Sequence, residues 1–432
     1  MNDRGTSCEE RRYYQEISDS HSHSEQAIKN KQCAQGIEKS EGDLSFRYDI
    51  SIGASLTSTE RKEVMKLKPG FALQLGIVIA FTSASAFADS GAVYTMTNAA
   101  AGNAVLAFNR SVEGQLTPAG MFPTGGLGTG GGLGSQGALA IDERKDFLFA
   151  VNAGSNNISV FKISEGGLQL VDVAASHGSR PISLTVKREM LYVLNNGGAI
   201  GGSDTIAGFK IRKGGHLAPI VAGLPLSAPS VGPAQIGFDR EGEVLLVTEK
   251  TTNRLDLFTV GDDGIARGPR VVPSAGETPF GFAFGRRGQV FVSEAFGGAA
   301  NAGAMSSYEA EEDALETIAA AVGDKQTAPC WVVVTSDGRF AYTTNTGSGT
   351  VSGYRIAFDG SLKLLNETGE TAITGGGSSP IDAALTNDSR FLFVLTPGSQ
   401  KIQGFAVSLD GALVPVSQAP GIPASANGLV SR

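Results

Sequence analysis

The chain is poor in the residues on which disulfide scaffolds and metal sites depend. It has 3 Cys, 4 His and 1 Trp among 432 residues. Cys8 and Cys33 lie near the N-terminus, so only Cys330 belongs to the later sequence. A single cysteine excludes an internal disulfide there. No group of Cys, His and carboxylates has metal-ligand spacing, so neither a metal nor another cofactor is expected.

Positive charge is also scarce. Lys and Arg number 35 against 43 Asp and Glu, a formal net charge of −8, and they form no basic cluster. Nucleic acids and anionic membrane surfaces are bound through concentrated positive charge. We therefore expect neither as a partner.

The apolar run near the N-terminus is short. Residues 65–68 read Met-Lys-Leu-Lys, residues 71–81 are apolar, and residues 86–88 read Ala-Phe-Ala. A basic start, a short apolar centre and an Ala-x-Ala ending are typical of a secretory signal peptide. The run is too short for a comfortable membrane span. We expect residues 65–88 to be removed and the protein to be exported, periplasmic or extracellular, without stable membrane insertion.

Residues 1–64 precede this signal and are polar, with mixed charge and little periodicity. Two interpretations remain open. The true start is Met65, or residues 1–64 form a disordered leader or an anchored segment. Three regions follow: 1–64, 65–88 and 89–432.

A sequence pattern, which we call a phrase, repeats along residues 89–432. A proline opens a short apolar run, and a polar turn and further apolar runs follow. The openings are spaced 52, 46, 50 and 51 residues apart: Pro181, Pro233, Pro279, Pro329 and Pro380. Gln136 opens a matching phrase without proline. A fixed period of this length is typical of a repeat architecture.

Each phrase contains four strand-like runs. In the copy at Pro380 these are residues 380–385, 390–395, 401–407 and 412–416, separated by turns rich in Gly, Asp, Asn and Ser. Short antiparallel runs repeated in this way predict an all-β fold, a β-propeller with four-stranded blades. An open solenoid or two sandwiches is the alternative.

The first phrase lacks its first strand. Residues 92–97, 104–108 and 115–121 supply three runs, and residues 428–430 follow the last repeat. We therefore predict seven blades, with the ring closed by the C-terminal strand. Closure removes the exposed edges of an open array.

Polar residues recur where second strands end and where first strands begin, which predicts a ligand site at one mouth of the central channel. The candidate ligand-binding residues are Glu249, Asn152, Asn195, Asn345 and Gln136, with Trp331 as a stacking surface. Asn at a strand end is equally typical of a turn, and Glu249 next to Lys250 of a solvated surface pair. A small-molecule ligand is expected, and a protein partner is a second expectation.

Glu294 is the sharpest candidate for chemistry. It lies in an apolar run followed by glycines, where a carboxylate is either desolvated or paired. His177 and Arg180 share one loop and are the candidates to pair with Glu294 or Glu249 across the channel. We predict Glu294, His177 and Arg180 as catalytic residues, with a plain surface loop as the alternative for the last two.

A glycine-rich stretch spans residues 125–137. Phosphate-binding loops need a preceding strand, a following helix and a Lys-Ser/Thr step, and these surroundings do not match that pattern. We interpret the stretch as a flexible crossing between blades one and two, and as a candidate lid over the channel.

Several segments resemble a known family. Residues 336–342 (SDGRFAY), 345–351 (NTGSGTV) and 358–362 (FDGSL) resemble blades of the lactonase-type seven-bladed propellers, which include propeller phosphogluconolactonases and carboxy-cis,cis-muconate cyclase. Residues 125–140, 248–250, 293–298 and 330–335 look like an uncharacterised exported bacterial branch.

The resemblance implies a lactonase-like activity on a sugar-acid or carboxylated lactone. The enzymes of the family place Arg and His after the opening proline, whereas Ile182, Ala234, Phe280, Cys330 and Ile381 stand there in this chain. Two functions remain open: a lactonase or cyclase with a different catalytic set, and a non-catalytic propeller that binds a ligand or a protein.

Overall fold

The computed structural model describes residues 91–311 and 314–432. The predicted leader and signal peptide, residues 1–64 and 65–88, lie outside the described residues. The described chain forms seven small antiparallel sheets, and only three single-turn 3-10 helices interrupt the strands. The prediction of a seven-bladed β-propeller is confirmed.

The first four blades are built as follows. Blade one contains β1 (Gly91–Met96), β2 (Ala104–Arg110) and β3 (Leu116–Pro123); blade two contains β4 (Leu139–Ile141), β5 (Phe147–Asn152), β6 (Asn157–Ser164) and β7 (Gly167–Ala175); blade three contains β8 (Pro181–Lys187), β9 (Met190–Asn196), β10 (Asp204–Ile211) and β11 (Leu217–Pro225); blade four contains β12 (Pro233–Phe238), β13 (Val244–Glu249), β14 (Arg254–Val260) and β15 (Ala266–Pro273).

The remaining strands complete the ring. Blade five contains β16 (Pro279–Phe284), β17 (Gln289–Glu294), β18 (Ala304–Ala310) and β19 (Leu315–Gly323); blade six contains β20 (Pro329–Val334), β21 (Phe340–Asn345), β22 (Thr350–Ile356), β23 (Leu362–Leu364) and β24 (Ala372–Ile373); blade seven contains β25 (Ile381–Leu385), β26 (Phe391–Thr396), β27 (Lys401–Val407) and β28 (Leu413–Pro420); β29 (Asn427–Ser431) is the innermost strand of blade one.

The ring closes through the two ends of the described chain. β29 pairs antiparallel with β1, with Tyr94 opposite Val430 and Thr95 opposite Leu429. The Arg432 N–H also donates to the Ala92 carbonyl at 2.9 Å. This confirms the closing strand predicted at residues 428–430, and it leaves blade one without an open inner edge.

The second strand of each blade carries most of the core. All six residues of β13, β17, β21 and β26 are buried. A strand buried on both faces packs against the neighbouring blades on both sides, so polar residues on it must find partners within the protein. Tyr192 and Tyr342 do so across blade boundaries, donating to the Gly264 and Gly411 carbonyls at 2.7 and 2.9 Å.

Five inner strands follow a residue with a left-handed backbone conformation. The residue before each opening proline has a positive φ of 47 to 57°: Arg180, Gly232, Thr278, Ala328 and Ser379. Only one of these is glycine, although this region of φ favours glycine. At these residues the chain reverses direction, passing from the outer strand of one blade to the inner strand of the next.

Candidate functional site

One end of the channel collects the features that sequence analysis singled out. Inner strands begin there and second strands end there. We define the channel mouth as Arg180, Lys250, Phe280, Cys330 and Trp331, together with residues 133–137, the crossing segment.

The crossing segment lies across the mouth and is held by several blades. Its backbone and side chains bond to blades one, three, four and six through Leu133 N to Asn427 Oδ1 (3.0 Å), Lys250 Nζ to Gly134 O (2.6 Å), Trp331 Nε1 to Ser135 O (2.9 Å) and Ser135 Oγ to Ile182 O (2.8 Å). The glycine-rich stretch is thus a connection from blade one to blade two, and its last residues cover the channel.

The side-chain amide of Gln136 forms hydrogen bonds to another blade. Its Nε2 donates to the Val332 carbonyl, its Oε1 accepts from the Val332 N–H, both at 2.9 Å, and its own N–H donates to the Ala234 carbonyl at 3.1 Å. The residue predicted to bind ligand therefore bridges blade two to blade six across the axis. A ligand would have to replace these bonds to reach it.

Trp331 packs more than it exposes. It is 3 % exposed, and its ring centroid lies 5.0 Å from that of Phe280. With the indole N–H taken by Ser135, the ring and Phe280 form an apolar floor under the crossing segment.

Lys250 reaches the mouth, although the sequence favoured a solvated pair with Glu249. Its ammonium lies 4.7 Å from the centroid of Phe280, and no ion pair of Lys250 is present among the described residues. Burial lowers its pKa to about 8, an effect that nearby Cys330 and Asp204 oppose and nearby Arg180 reinforces. Glu249 and Lys250 are not a surface pair because they enter different environments.

Arg180 is the second cation of the mouth. It is partly buried, its Nε makes no hydrogen bond, and its backbone N–H donates to Asn156 Oδ1 at 2.7 Å. The predicted pairing with Glu294 or Glu249 is absent from the ion pairs of the described chain. His177 is exposed and packs against Phe209, with ring centroids 5.6 Å apart.

Glu249 and Asp256 form a buried carboxyl pair beneath a blade connection. Both are 0 % exposed. The Ser227 N–H donates to Glu249 Oε1 at 3.2 Å and to Asp256 Oδ2 at 3.0 Å, and Ser227 Oγ donates to Glu249 Oε2 at 2.7 Å. Burial, followed by the adjacent Glu249, raises the pKa of Asp256 to about 8. The Asp256 carboxyl therefore stays largely protonated near neutral pH. Through Ser227, both side chains stabilise the connection from blade three to blade four.

Glu294 occupies the same position in blade five. It is 0 % exposed, and its Oε1 accepts from the Gly276 N–H at 2.7 Å and from Ser274 Oγ at 3.1 Å, while Oε2 has no hydrogen-bond partner. Burial raises its pKa, and its hydrogen bonds oppose the rise. A carbon added to Gly276 would lie 1.9 Å from Glu294 Oε2, so only glycine fits above the carboxyl.

The asparagines predicted for the site are also buried and hydrogen-bonded within the protein. All three are 0 % exposed. Asn152 Nδ2 donates to Ser159 Oγ at 2.7 Å, Asn195 Nδ2 to the Ser176 carbonyl at 3.3 Å, and Asn345 Nδ2 to Ser352 Oγ at 2.8 Å. They stabilise the strand ends and the adjoining connections, so they lie beneath the surface that a ligand meets.

Sequence analysis missed Lys250, Asp256 and Asp382. Asp382 is 2 % exposed near the start of β25, its Oδ2 has no partner, and burial raises its pKa well above the ordinary value. Its place two residues after Pro380, where Trp331 follows Pro329, is the one sequence signal that marks it.

Metal-binding clusters and membrane-spanning helices are both absent from the described residues. Within the described ranges, no three metal-ligating side chains cluster. Nor does that part of the chain include a helix with the length and hydrophobicity to span a membrane.

Comparisons with known proteins agree with the fold. Residues 294–425 match the family model described as lactonase, 7-bladed beta-propeller. No curated protein sequence matches the chain.

Solved structures resemble the chain over most of its length. The periplasmic gluconolactonase of Pseudomonas aeruginosa is 16 % identical with a TM-score of 0.61, covering 78 % of this chain and 98 % of that one. A proposed 6-phosphogluconolactonase of Bacteroides fragilis is 17 % identical with a TM-score of 0.60, covering 80 % and 98 %. A protein from Lactobacillus plantarum is 16 % identical with a TM-score of 0.63, covering 79 % and 99 %.

At these identities the solved structures establish the fold, and the matched segment adds the family resemblance. Together they show a seven-bladed β-propeller in which residues 294–425 resemble the lactonase-type family.

Proposed function

We propose that the protein binds a small, oxygen-rich, negatively charged ligand at the channel mouth and acts on it as a lactonase. A sugar-acid lactone or a carboxylated lactone has the required chemistry. The observation that carries the proposal is the pair of cations, Arg180 and Lys250, which lie near each other at the mouth without an ion pair in the described chain.

The two cations suit different parts of such a ligand. The guanidinium of Arg180 would hold a carboxylate through paired hydrogen bonds. The Lys250 amine would donate to the lactone carbonyl, whose oxygen gains negative charge when water attacks. Phe280 and Trp331 supply an apolar floor for the ring. His177 is exposed three residues before Arg180 and would extend the polar rim.

Glu294 remains the proposed general acid or base, and its surroundings set a condition. Burial raises the pKa of its carboxyl above the ordinary value, which is the direction that suits a general acid. Its complete burial under Gly276 requires the connection of residues 274–278 to move before a substrate reaches it. Glu249, Asn152, Asn195 and Asn345 would support the wall of the site from beneath, each at its own blade connection.

Non-catalytic binding is the alternative, and the burial of Glu294 favours it. Under this alternative the cations and the apolar floor capture the ligand, or an acidic segment of a protein, without turnover. Export, proposed from residues 65–88, is compatible with both functions. The mass of the secreted protein tests it, since cleavage after Ala88 leaves a chain that begins at Asp89.

Proton release tests the enzyme proposal. The full-length protein is offered glucono-1,5-lactone and carboxylated lactones at constant pH. Release above background that falls at least about tenfold in Arg180→Gln and in Lys250→Met, and is unchanged in Lys401→Met, supports catalysis at the mouth. No release, combined with calorimetric binding of gluconate that is lost in Arg180→Gln, establishes the binding alternative. Neither release nor binding refutes the proposed site.

Glu294→Gln separates the catalytic role from the structural one. Turnover lost at unchanged thermal stability supports a direct role for Glu294. If Glu294→Gln retains turnover, the Glu294 carboxyl serves only to stabilise the connection of residues 274–278.

A further inference from the structure

The Lys250 amine has surroundings unlike those of other described lysines. Lys187 and Lys210 lie 2.6 and 4.0 Å from the carboxylates of Glu143 and Glu189. Lys401 donates to the side chain of Gln418 on an exposed surface. Lys325 donates to a main-chain carbonyl, that of Glu367, but it is exposed. Lys250 differs from all of these because it is partly buried and lies over the face of Phe280 while donating to the Gly134 carbonyl.

This environment favours the neutral amine. Burial removes water from the ammonium, and the neighbouring Arg180 adds a like charge, which together lower the pKa of Lys250 to about 8. At pH 7 about one amine in ten is then neutral, compared with about one in three thousand for an ordinary lysine. Desolvation and a nearby cation are the two conditions that make a lysine nucleophilic.

We propose that Lys250 is a nucleophilic amine that forms an imine with a small carbonyl acid, an aldehyde or keto acid whose carboxylate Arg180 holds. The nitrogen lone pair attacks the carbonyl carbon, and the π electrons move to oxygen, which takes up a proton. The carbinolamine loses its hydroxyl group as water while the nitrogen loses its proton, and C=N forms. No oxidant or reductant is needed.

The carbonyl that covers Lys250 belongs to a glycine. Gly134 lies between Leu133 and Ser135, which are hydrogen-bonded to Asn427 and Ile182, and it contributes only main-chain atoms to the cover. Gly134, whose carbonyl accepts from Lys250, has a φ of +62°. Displacing this carbonyl moves glycine backbone rather than packed side chains, and a neutral amine can still donate to it.

The inference goes beyond lactone binding because it assigns covalent chemistry and a second ligand class. It rests on the same two cations as the proposed function, with Arg180 holding a carboxylate in both and Lys250 as a nucleophile instead of a hydrogen-bond donor. Experiments on charged and uncharged carbonyl compounds therefore separate the two.

Reductive trapping tests the proposal. The full-length protein is treated with glyoxylate and cyanoborohydride at pH 7, and labelled lysines are located by peptide mass spectrometry. Lys250 should be labelled at least about tenfold faster than Lys187 and Lys401, and its labelling rate should level off above a pH of about 8. Labelling of Lys250 no faster than that of Lys401 would overturn the proposal.

Two controls, the Arg180→Gln variant and an aldehyde without a carboxylate, show which part of the proposal a trapping result supports. Arg180→Gln should slow trapping of glyoxylate at Lys250 but not trapping of propanal, which has no carboxylate. Equal trapping of both aldehydes in both proteins would refute the role of Arg180 and leave the nucleophilic amine. Gluconate binding without trapping at Lys250 would refute the imine and leave the proposed function intact. Lys250→Arg, which keeps the charge, should abolish labelling at this position.

Discussion

The indole N–H of Trp331 donates to the main-chain carbonyl of Ser135 at 2.9 Å, joining residues 196 positions apart. One lies on the inner strand of blade six and the other in the segment that leads into blade two. The bond runs from one side of the ring to another and fixes the crossing segment over the channel. Trp331 therefore controls access to the mouth more directly than it offers a surface to a ligand.

Trp331→Phe should loosen the crossing segment. The phenyl ring can still pack on Phe280, but the Ser135 carbonyl loses its donor, which costs about 1–2 kcal/mol of unfolding free energy. Hydrogen exchange should accelerate at the amides of residues 133–137 and remain slow in β26, which serves as the internal reference. Unchanged exchange at residues 133–137 would show that the indole bond does not hold this segment.

Gly276→Ala should destabilise the connection between blades four and five. The added carbon would lie 1.9 Å from Glu294 Oε2, and the buried carboxyl must move and give up the bond from the Gly276 N–H. We expect a loss of about 2–4 kcal/mol in denaturant unfolding. Gly376→Ala is the matched control, because a carbon there meets nothing within 4 Å. A similar loss in the two variants would contradict the close approach.

Asp256→Asn should remove a pH dependence of stability. Burial raises the pKa of Asp256 to about 8 in the folded protein, against an ordinary value near 3.8. Between these values the folded state binds more protons than the unfolded state, so stability falls as pH rises from about 4 to about 8. Asn cannot ionise, and it should gain about 1–3 kcal/mol relative to the native residue at pH 8 but not at pH 4.

Thermal unfolding of both proteins across this pH range is the measurement. Asp263→Asn is the control, because that carboxyl is exposed and paired with Arg267 at 2.7 Å. A difference between Asp256→Asn and the native protein that stays constant with pH would contradict the raised pKa of the buried Asp256 carboxyl.

Removing residues 427–432 should open the ring. The deletion takes away β29 and exposes the edge of β1, whose residues pair with it from Val93 to Met96. We expect a fall in thermal midpoint of 10 °C or more, of the order implied by losing several kcal/mol. Deleting Arg432 alone removes its two hydrogen bonds with Ala92 and should change the midpoint by only about a few degrees. Equal behaviour of the two deletions would contradict closure by β29.

The fold could be predicted because its information is local and repeated. The prolines at a fixed interval mark inner strands, and residues 401–407 were predicted with the bounds that β27 has. Hairpin turns between short apolar runs leave few alternative pairings. The fragmentary first phrase implied a missing strand, and β29 supplies it. Blade six departs from this regularity because its outer strand is divided into β23 and β24.

The candidate site could be predicted only in part. The sequence placed polar residues at the strand ends but not the direction in which each side chain points. Glu249 and Lys250 are consecutive, yet Glu249 enters a blade connection and Lys250 reaches the channel axis. Consecutive residues at the end of a strand point to opposite sides, so the blade geometry separates a pair that looked like surface partners.

The sequence alone determined the number of blades, their four-strand composition and the closing strand, because strand period, turn chemistry and repeat spacing are properties of neighbours along the chain. Tertiary structure alone decided which polar residues meet. Ring closure brings Arg180, Lys250 and Trp331 from three blades to one mouth and buries Glu294 under Gly276. The charge state of Lys250 and of Asp256 follows from that burial, since desolvation depends on residues distant in sequence.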